Sequence, residues 1–425
     1  MTNLSSLPGF SSGSSSSGGG GGGGGSSDLP QILLDSPTLI DASSFYIEGG
    51  SDYNNQSSTT YQAFNSLASD GCFAGIFDPY NSSNSAKVIA CSFKVDPSNG
   101  SIGNPDRHTI WNHSHGDTFS TCHFGSVGNM VMNIGHHKNP SHGSTHKGTC
   151  WGASFNSSAS HTGSSYGEAP WEAWPHSNGD LAMGANSANG TMYARRSTYN
   201  QNDSKYWHNN HYWNGSSINR GEWTNPSSDT STNYCQGCAK SSKDDLEPGG
   251  MIHWRQSSTY RAMQIYGSSA SRGSELTGLQ HGDNYASFHL SNGKRLFFNE
   301  GRIIIGETNG DLTAHTTPVQ NAGFLQLMQN KGDHIRTCIP TKNTDEWIMA
   351  CGENLGFMRI RIDVNNNYAV SVLQVYYSLA WTYNSSFSSS GRSIGVVGPN
   401  DEYLVTTDVR SGQATIQTFT NPFAT

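Results

Sequence analysis

The sequence predicts an all-β protein: a β-propeller-like array of four-stranded repeats, about seven in number, preceded by a Gly/Ser-rich N-terminal arm. Three observations lead to this prediction. Charged residues are scarce, short β-branched runs end in Gly, Asn, Asp or Ser, and one segment recurs along the chain. Together they favour strands and tight turns over helices.

Composition argues against several classes of protein. The chain has 425 residues, of which 33% are hydrophobic and 13% are charged, and its formal net charge is −8. Ordinary soluble domains carry about 25% charged residues, so long helices with paired surface charges are not expected here. No apolar stretch is long enough for a helical membrane span, and the mild acidity disfavours a phosphate-backbone partner. We therefore predict neither membrane insertion nor nucleic-acid binding.

Residues 1–8 lack the basic and apolar regions of a secretory signal, so we do not expect secretion. The eight cysteines are then predicted to be reduced rather than bridged. Glycosylation-like triplets, such as the one that begins at Asn189, are expected by-products of a Ser/Asn-rich composition.

Residues 1–31 are predicted to form a flexible arm. Residues 11–27 contain only Ser and Gly, which bury nothing and behave as a tether. Apolar residues flank this tether on both sides: Leu4, Leu7, Pro8 and Phe10 before it, and Leu29, Ile32, Leu33, Leu34, Leu39 and Ile40 after it. We expect them to anchor the chain in an assembly, with residues 32–70 as a docking or linker segment. A tail without a partner is the open alternative.

Residues 71–425 are predicted to form the β domain. Residues 87–95 read as a strand that ends in an Asp-Pro-Ser-Asn-Gly turn, and residues 302–306 precede an Asn-Gly turn, the favoured two-residue hairpin connection. Residues 358–364 and 403–409 are further apolar, β-branched runs followed by turn residues. No window of a dozen residues has a convincing helical period, which supports an all-β domain.

An internal repeat is the sharpest signal. Residues 115–124 match residues 281–290 in chemistry and spacing, and each copy is followed by a turn and an apolar strand. Looser or terminal copies lie at residues 178–183, 332–339, 71–77 and 393–398. Units of roughly 50 residues that cannot bury their own faces are typical of propeller blades, which stack side by side. Six or eight blades remain open, as do a β-sandwich array and a β-solenoid.

Two long Ser/Asn/His/Trp-rich segments, residues 136–174 and 199–243, interrupt the repeat. We predict that they are loops on one rim of the array. Their tryptophans could pack on each other, on a neighbouring subunit or on a glycan. The candidate glycan-contact residues are Trp151, Trp171, Trp174, Trp207, Trp213 and Trp223.

No metal site is assigned, although two groups contain metal-ligand residue types. The first is His136, His137, His142, His146 and Cys150, whose spacing matches no standard site. The second combines Cys235 and Cys238 with His208 and His211 in an unusual order. Polar loop histidines and reduced loop cysteines are the alternatives to zinc binding.

No catalytic residue, cofactor or enzymatic activity is predicted. The His-Gly-Asp motifs that begin at His115 and His281 recur at equivalent places, which indicates a structural role in turns. No nucleophile motif or phosphate-binding loop stands out. Sparse carboxylates could supply a glycosidase pair, but the sequence brings no two of them together: Glu168, Glu172, Asp244, Asp245, Glu247, Asp345 and Glu346. Asp345 and Glu346 are expected in a hairpin turn.

The opening segment, in which Leu4, Leu7, Pro8 and Phe10 precede a polyglycine tract, resembles the N-termini of virion proteins of tailed phages, particularly marine cyanobacterial phages. The charge-poor β body is similar in composition to the tail, fibre and capsid-appendage proteins of such phages. The motif covers residues 1–27, and the rest is compositional. The resemblance implies a structural component that is assembled in the host cytoplasm, anchored by its arm and displays a β domain outward. It carries no catalytic residues.

The leading hypothesis is therefore a non-enzymatic virion protein, namely a tail nozzle, a fibre or adaptor, or a capsid appendage. Its expected partners are other virion structural proteins and further copies of itself. One alternative is a receptor-recognition protein that binds a host-surface carbohydrate. Another is a glycan-degrading enzyme on a propeller scaffold, which would need two carboxylates about 5–9.5 Å apart.

Overall fold

The computed structural model describes residues 31–33, 37–48, 64–67, 70–77, 86–113, 118–127, 129–138, 146–168, 181–186, 192–200, 205–220, 232–237, 249–256, 259–266, 271–279, 284–299, 302–315, 337–351, 356–376, 392–410 and 412–424. These residues form strands and turns only, which confirms the predicted all-β class. Among them there is no helix long and apolar enough to cross a membrane.

The described strands form seven sheets, numbered here in chain order. Sheet 1 contains β3 (Asn65–Ser66), β4 (Cys72–Phe77), β5 (Ala86–Lys94) and β6 (Asp106–His113). Sheet 2 contains β7 (Thr118–Val127), β8 (Met130–Lys138), β9 (His146–Phe155) and β10 (His161–Glu168). Sheet 3 contains β11 (Leu181–Asn186), β12 (Met192–Asn200), β13 (Lys205–Trp213) and β14 (Ile218–Arg220). In each of these sheets the four strands run antiparallel in chain order.

Sheets 4 and 5 contain β15 (Thr232–Gly237), β16 (Gly249–Gln256), β17 (Thr259–Tyr266), β18 (Ser271–Arg272) and β19 (Leu276–Leu279); and β20 (Asn284–His289), β21 (Arg295–Asn299), β22 (Arg302–Gly306) and β23 (Leu312–His315). Sheet 6 contains β24 (Thr337–Pro340), β25 (Glu346–Cys351), β26 (Gly356–Asp363), β27 (Ala369–Tyr376) and β1 (Gln31–Leu33). Sheet 7 contains β28 (Arg392–Val397), β29 (Tyr403–Arg410), β30 (Gln413–Thr420) and β2 (Leu39–Tyr46).

The N-terminal strands complete the last two sheets. β2 pairs antiparallel with β30, from Leu39 opposite Phe419 to Tyr46 opposite Gln413. β1 pairs parallel with β27 at the edge of sheet 6. The predicted docking segment, residues 32–70, therefore contributes strands to the β body, and the sheets extend N-terminally of the predicted boundary at residue 71.

Strands in the middle of a sheet are buried on both faces. All six residues of β4 are buried, and successive side chains point to opposite sides of the sheet. Phe73 packs in a cluster with sheet 7, whereas Ala74 and Ile76 pack in a cluster with sheet 2. Such strands read as continuous apolar runs, which explains why few of them alternate clearly in the sequence.

Sheets that follow one another along the chain are neighbours in space. Buried apolar clusters lie between sheets 1 and 2, 4 and 5, 5 and 6, and 6 and 7. Sheets 2 and 3 meet where Trp213 packs on Gly152, and sheets 3 and 4 meet through β11 and β15. A further cluster joins Phe45 and Ile416 of sheet 7 to Phe93 of sheet 1, and β28 contacts β3. Sheet 7 therefore contacts sheet 1 as well as sheet 6.

The internal repeat has a structural counterpart. Its copies at residues 115–124, 178–183, 281–290 and 332–339 overlap the first strands of sheets 2, 3, 5 and 6, namely β7, β11, β20 and β24. Each of these copies thus lies at the start of a sheet. The terminal copies differ, since residues 71–77 include the second strand of sheet 1 and residues 393–398 overlap the first strand of sheet 7. The His-Gly-Asp triplets at His115 and His281 lie outside the described residues.

The structure corrects the prediction of long loops at residues 136–174 and 199–243. β9 and β10 lie within the first segment, and β13, β14 and β15 lie within the second. Their Gly, Ser, Asn and His residues have low strand propensity, which hid them in the sequence. Close packing between sheets accounts for some of the small residues. A Cβ atom at Gly152 would lie 2.6 Å from the Trp213 ring, so only glycine fits at this contact.

Candidate functional site

A row of four aromatic side chains lies where β6 of sheet 1 faces β10 of sheet 2. His108 and Trp111 belong to β6, and His161 and Tyr166 belong to β10. We call these four residues the outer ring row, because β6 and β10 are the edge strands of their sheets. The two strands contact each other, so the row bridges two neighbouring sheets.

The rings of the row pair across the junction. The imidazoles of His108 and His161 are stacked, with ring centroids 3.8 Å apart and ring planes 13° apart. Further along, the ring centroids of Trp111 and Tyr166 are 5.4 Å apart, with an interplanar angle of 31°. Tyr166 is 44% exposed and His108 is exposed, whereas Trp111 and His161 are half-buried. The row therefore presents aromatic surface to solvent.

Asp106 fixes the alignment of the two strands. Its Oδ2 accepts a hydrogen bond from the backbone N–H of His161 at 2.8 Å, and its Oδ1 accepts one from the N–H of Arg107 at 2.8 Å. Asp41 repeats this arrangement at the junction of sheets 7 and 1. There, Oδ2 accepts from the N–H of Ile102 at 2.8 Å, and Oδ1 accepts from the N–H of Ala42 at 2.8 Å. Both carboxylates are therefore used structurally.

The environment of the His161 imidazole favours its neutral form. Burial and the adjacent His108 lower the pKa of His161 below its usual value, and the Asp106 carboxylate partly opposes this shift. Among the described residues, the buried Nε2 atom of His161 has no hydrogen-bond partner. An added proton there would lack an acceptor, so protonation of His161 would disfavour the junction.

A second polar cluster lies in sheet 6 around Glu346, whose side chain is 1% exposed. Its carboxylate accepts hydrogen bonds from Nε of Arg359 at 2.7 Å, from Nε of Arg361 at 2.9 Å and from Nδ2 of Asn343 at 3.1 Å. Arg359 also donates to Oε1 of Gln374 at 3.1 Å. The cluster is an ion-pair network that joins β25, β26 and β27.

The network makes Glu346 unsuited to donate protons. Burial alone would raise the pKa of Glu346, but hydrogen bonds from Arg361, Arg359 and Asn343 outweigh burial and hold its pKa below the usual value. The neighbouring Asp345 lies in the β24–β25 turn, as predicted, and accepts a hydrogen bond from the N–H of Ser291 at 2.8 Å. Glu346, which is expected in the same turn, is instead the first residue of β25, where its side chain pairs with arginines of β26. Neither carboxylate is thus arranged as a general acid. The other candidates are Glu168, whose backbone alone is described, and Glu172, Asp244, Asp245 and Glu247, which lie outside the described residues.

The described cysteines are thiols in apolar surroundings. Cys72, Cys91 and Cys150 are buried and, like Cys338, are not bridged. Burial raises the pKa of Cys72, Cys91 and Cys338 to about 12 in each case. In the part of the chain that the structure describes, no group of three or more His, Cys, Asp or Glu side chains could hold a metal ion.

Most residues of the two groups with metal-ligand residue types cannot be placed in full. His142 and Cys238 lie outside the described residues. Only the backbone of the others is described, in strands β8, β9, β13 and β15: His136, His137, His146, His208, His211 and Cys235. Cys150, in β9, is fully buried.

The predicted anchoring residues divide into two sets. Ile32 and Leu33 lie in β1 and so pair with β27 of the same chain. The remaining ones lie outside the described residues: Leu4, Leu7, Pro8, Phe10, Leu29 and Leu34. Leu39 and Ile40, from the same apolar cluster, are 51% and 39% exposed on β2.

Two of the six tryptophans proposed to contact glycans are core residues. Trp151 and Trp213 are fully buried, so neither ring is available to a ligand. Both occupy strands that are covered by a neighbouring sheet, which the prediction of rim loops did not anticipate. Trp207 lies in β13, where the backbone alone is described, and Trp171, Trp174 and Trp223 lie outside the described residues.

Comparison with known proteins gives similarities of structure only. No family model and no curated protein matches the chain. An α-L-arabinofuranosidase from Fusarium graminearum is 9% identical with a TM-score of 0.41, and the match covers 90% of this chain and 97% of that one. Sqt1 from Chaetomium thermophilum is 10% identical with a TM-score of 0.40, over 88% and 82% of the two chains. The β-propeller domain of the trilobed protease from Pyrococcus furiosus is 9% identical with a TM-score of 0.32, over 67% and 77%. At these TM-scores the similarities carry no argument about this chain.

The outer ring row was missed by the sequence analysis. Its members lie more than fifty positions apart in pairs, as His108 and His161 do, and nothing local announces that β6 and β10 are adjacent. One signal was present. Both strands carry their rings within runs that are rich in polar residues, Asp106–His113 and His161–Glu168.

Proposed function

We propose that the chain is a non-enzymatic structural component of a phage particle: a seven-bladed β-propeller closed by its own N-terminal strand and anchored to other virion proteins through residues 1–31. The pairing of β2 with β30 carries this proposal. A blade that contains strands from both ends of the chain closes a ring of sheets, because the hydrogen bonds between those strands hold the N-terminal end of the ring to its C-terminal end.

A repeated hydrogen bond between neighbouring sheets supports the ring. At four successive junctions, from sheet 5 round to sheet 2, an Asp side chain accepts a backbone N–H from the neighbouring sheet. Asp345 and Asp401 lie between the first two strands of sheets 6 and 7 and accept from Ser291 and Lys342 of the preceding sheet. Asp41 and Asp106 lie on the edge strands of sheets 7 and 1 and accept from Ile102 and His161 of the following sheet. Each of the two contacts thus recurs at two successive junctions, as expected when neighbouring sheets are related by a similar rotation.

The course of the N-terminal segment supports an external anchor. β1 lies at the edge of sheet 6 and β2 at the edge of sheet 7, so residues 31–33 and 39–46 lie along the outside of two neighbouring sheets. Residue 30 therefore precedes an edge strand, where the arm can leave the body without crossing its core. Leu39 and Ile40 add an exposed apolar patch on the same edge.

The state of the buried carboxylate is consistent with a non-enzymatic role. Glu346 is paired with Arg359 and Arg361, which accounts for its burial without a catalytic function.

Deletion of residues 1–30 tests the proposal. The shortened chain keeps β1 and β2, so we expect it to fold and to melt like the full chain but to be missing from assembled particles. Replacement of Leu4, Leu7 and Phe10 by Ser should have the same effect. As a matched control, a permuted order of the Ser and Gly residues at 11–27 should leave incorporation unchanged. Normal incorporation of the deletion variant would contradict the anchoring role.

A further inference from the structure

The outer ring row differs from the other aromatic residues that the structure describes. The largest fully buried side chains of the described part are aromatic, for example Phe73, Phe93, Phe288 and Trp347. Tyr166, by contrast, is 44% exposed, and it is the one aromatic residue among the exposed large hydrophobic residues of the described chain. Tyr and Trp are enriched at binding surfaces because they combine an apolar ring with a polar group.

The strands of the row leave its rings accessible at the edge. Around Tyr166, β10 contains Gly163, Ser164, Ser165 and Gly167, which have small side chains or none. Gly163 and Gly167 fit closely against sheet 3, where Cβ atoms would meet the Gly215 carbonyl oxygen at 3.2 Å and the Ile218 side chain at 2.9 Å. Packing against sheet 3 thus fixes β10, while its other face holds Tyr166 beside Trp111.

The charges near the row are already engaged. Both carboxylate oxygens of Asp106 accept backbone N–H groups. Arg107 is directed to sheet 7, where its Nε donates to the carbonyl oxygen of Tyr46 at 3.0 Å and its guanidinium lies 5.2 Å from the centroid of the Phe45 ring. Asp106 and Arg107 are thus committed to structural contacts, which favours a ligand that needs no charged partner from these two residues.

We propose that the outer ring row is a binding site for a neutral carbohydrate chain. The face of an aromatic ring carries partial negative charge and attracts the partially positive C–H groups on the flat face of a pyranose. The half-buried Ser164 lies on the same face of β10 as Tyr166 and supplies a hydroxyl group for sugar hydroxyls. The proposal goes beyond the virion role and does not depend on it.

The paired rings also define the shape of the ligand. His108 and Trp111 are three positions apart on β6, so the two ring pairs are separated by roughly 10 Å along the junction. Two sugar residues separated along an extended chain could each meet one ring pair. An oligosaccharide or polysaccharide fits this spacing better than a monosaccharide does.

Affinity electrophoresis of the full chain tests this proposal. Native gels that contain a glucan, a mannan, a galactan or a xylan should retard the protein in at least one case. Tyr166→Ala should weaken that retardation about tenfold in apparent affinity, because the exposed ring is lost while the buried cluster is kept. Ile40→Ser is the matched control. It removes an exposed apolar side chain from another edge strand and should bind like the unchanged protein.

Each outcome decides the matter. Retardation that Tyr166→Ala weakens about tenfold and Ile40→Ser retains supports the site. Absence of retardation with all four polysaccharides, equal binding by Tyr166→Ala, or an equal loss with Ile40→Ser would overturn it. Binding of a proline-rich peptide, another ligand of aromatic grooves, with no binding of a polysaccharide would also overturn it. Circular dichroism of Tyr166→Ala separates loss of the site from loss of the fold.

Discussion

Replacement of Glu346 by Gln should lower the free energy of unfolding by about 3–5 kcal/mol, the usual cost of leaving a buried charge without its partner. Glu346 is 1% exposed and the Arg359 side chain is 7% exposed, so water cannot replace the lost carboxylate. An amide also keeps only one oxygen acceptor and turns N–H donors toward the guanidinium groups. The charge of Arg359 would then remain buried and largely uncompensated.

Arg361 provides the matched control for this prediction. Its side chain is 54% exposed, so water can solvate the site after Arg361→Gln, and we expect a cost of about 0–1 kcal/mol. The double variant Glu346→Gln/Arg359→Gln removes the orphaned charge as well. It should be less destabilised than the sum of the two single variants, by about 0.5–3 kcal/mol.

Urea unfolding followed by tryptophan fluorescence measures these differences. The urea concentration at the midpoint should fall slightly in Arg361→Gln and much further in Glu346→Gln. The slope of the unfolding free energy against urea concentration should stay constant. A cost for Glu346→Gln as small as that for Arg361→Gln would refute the reasoning. Simple additivity in the double variant would show that the two side chains do not interact.

Three further predictions concern packing, pH and thiol chemistry. Gly152→Ala should destabilise the protein by about 1–3 kcal/mol, because the new Cβ would lie 2.6 Å from the buried Trp213 ring. In the control Gly103→Ala, the new Cβ meets only one atom, at 3.3 Å, so the loss of stability should be smaller. Thermal unfolding of the two variants measures the difference. The pKa of His161 is lowered in the folded protein, so the free energy of unfolding should be highest above the usual pKa of 6.5 and should fall as the pH drops from 6.5 toward the folded-state pKa. The melting temperature should therefore decrease with pH in this window, and the decrease should be absent in His161→Gln. Since burial raises the pKa of the Cys91 thiol to about 12, this thiol should resist alkylation at pH 8 until the chain unfolds; mass spectrometry would show rapid native labelling if that is wrong.

The all-β class and the repeat were predictable because they depend on local chemistry. Asn309 and Gly310 form part of a turn after β22, and the Asp96–Gly100 segment turns after β5, as their sequences indicate. Strands that use small and polar residues were not predictable, because their stability comes from tight contact with the next sheet. Gly152 is an example, because the reason for its missing side chain is the close contact with Trp213 in the next sheet.

The completion of sheet 7 could not be predicted for a different reason. The backbone N–H of Thr38 bonds to the Thr420 hydroxyl across 382 positions of sequence, and no local pattern specifies such a partner. The apolar character of the segment around Leu39 and Ile40 predicts an anchor in an assembly, or a tail without a partner, and does not indicate the pairing with β30. The outer ring row depends on the same kind of long-range adjacency.

The pairing of β2 with β30 can be tested most directly by an engineered disulfide. Ser44 lies opposite Thr415, and side chains directly opposite on antiparallel strands have Cβ atoms about 4.5–5.5 Å apart, close to disulfide reach. We expect Ser44→Cys/Thr415→Cys to form an intramolecular disulfide on mild oxidation, at a yield that does not depend on protein concentration. The control Ala42→Cys/Gln413→Cys should form no such disulfide, because these two positions are four residues out of register and roughly 13 Å apart. Peptide mass spectrometry that found no 44–415 link, or found it only between two chains, would contradict closure of the last sheet by the chain's own N-terminal strand.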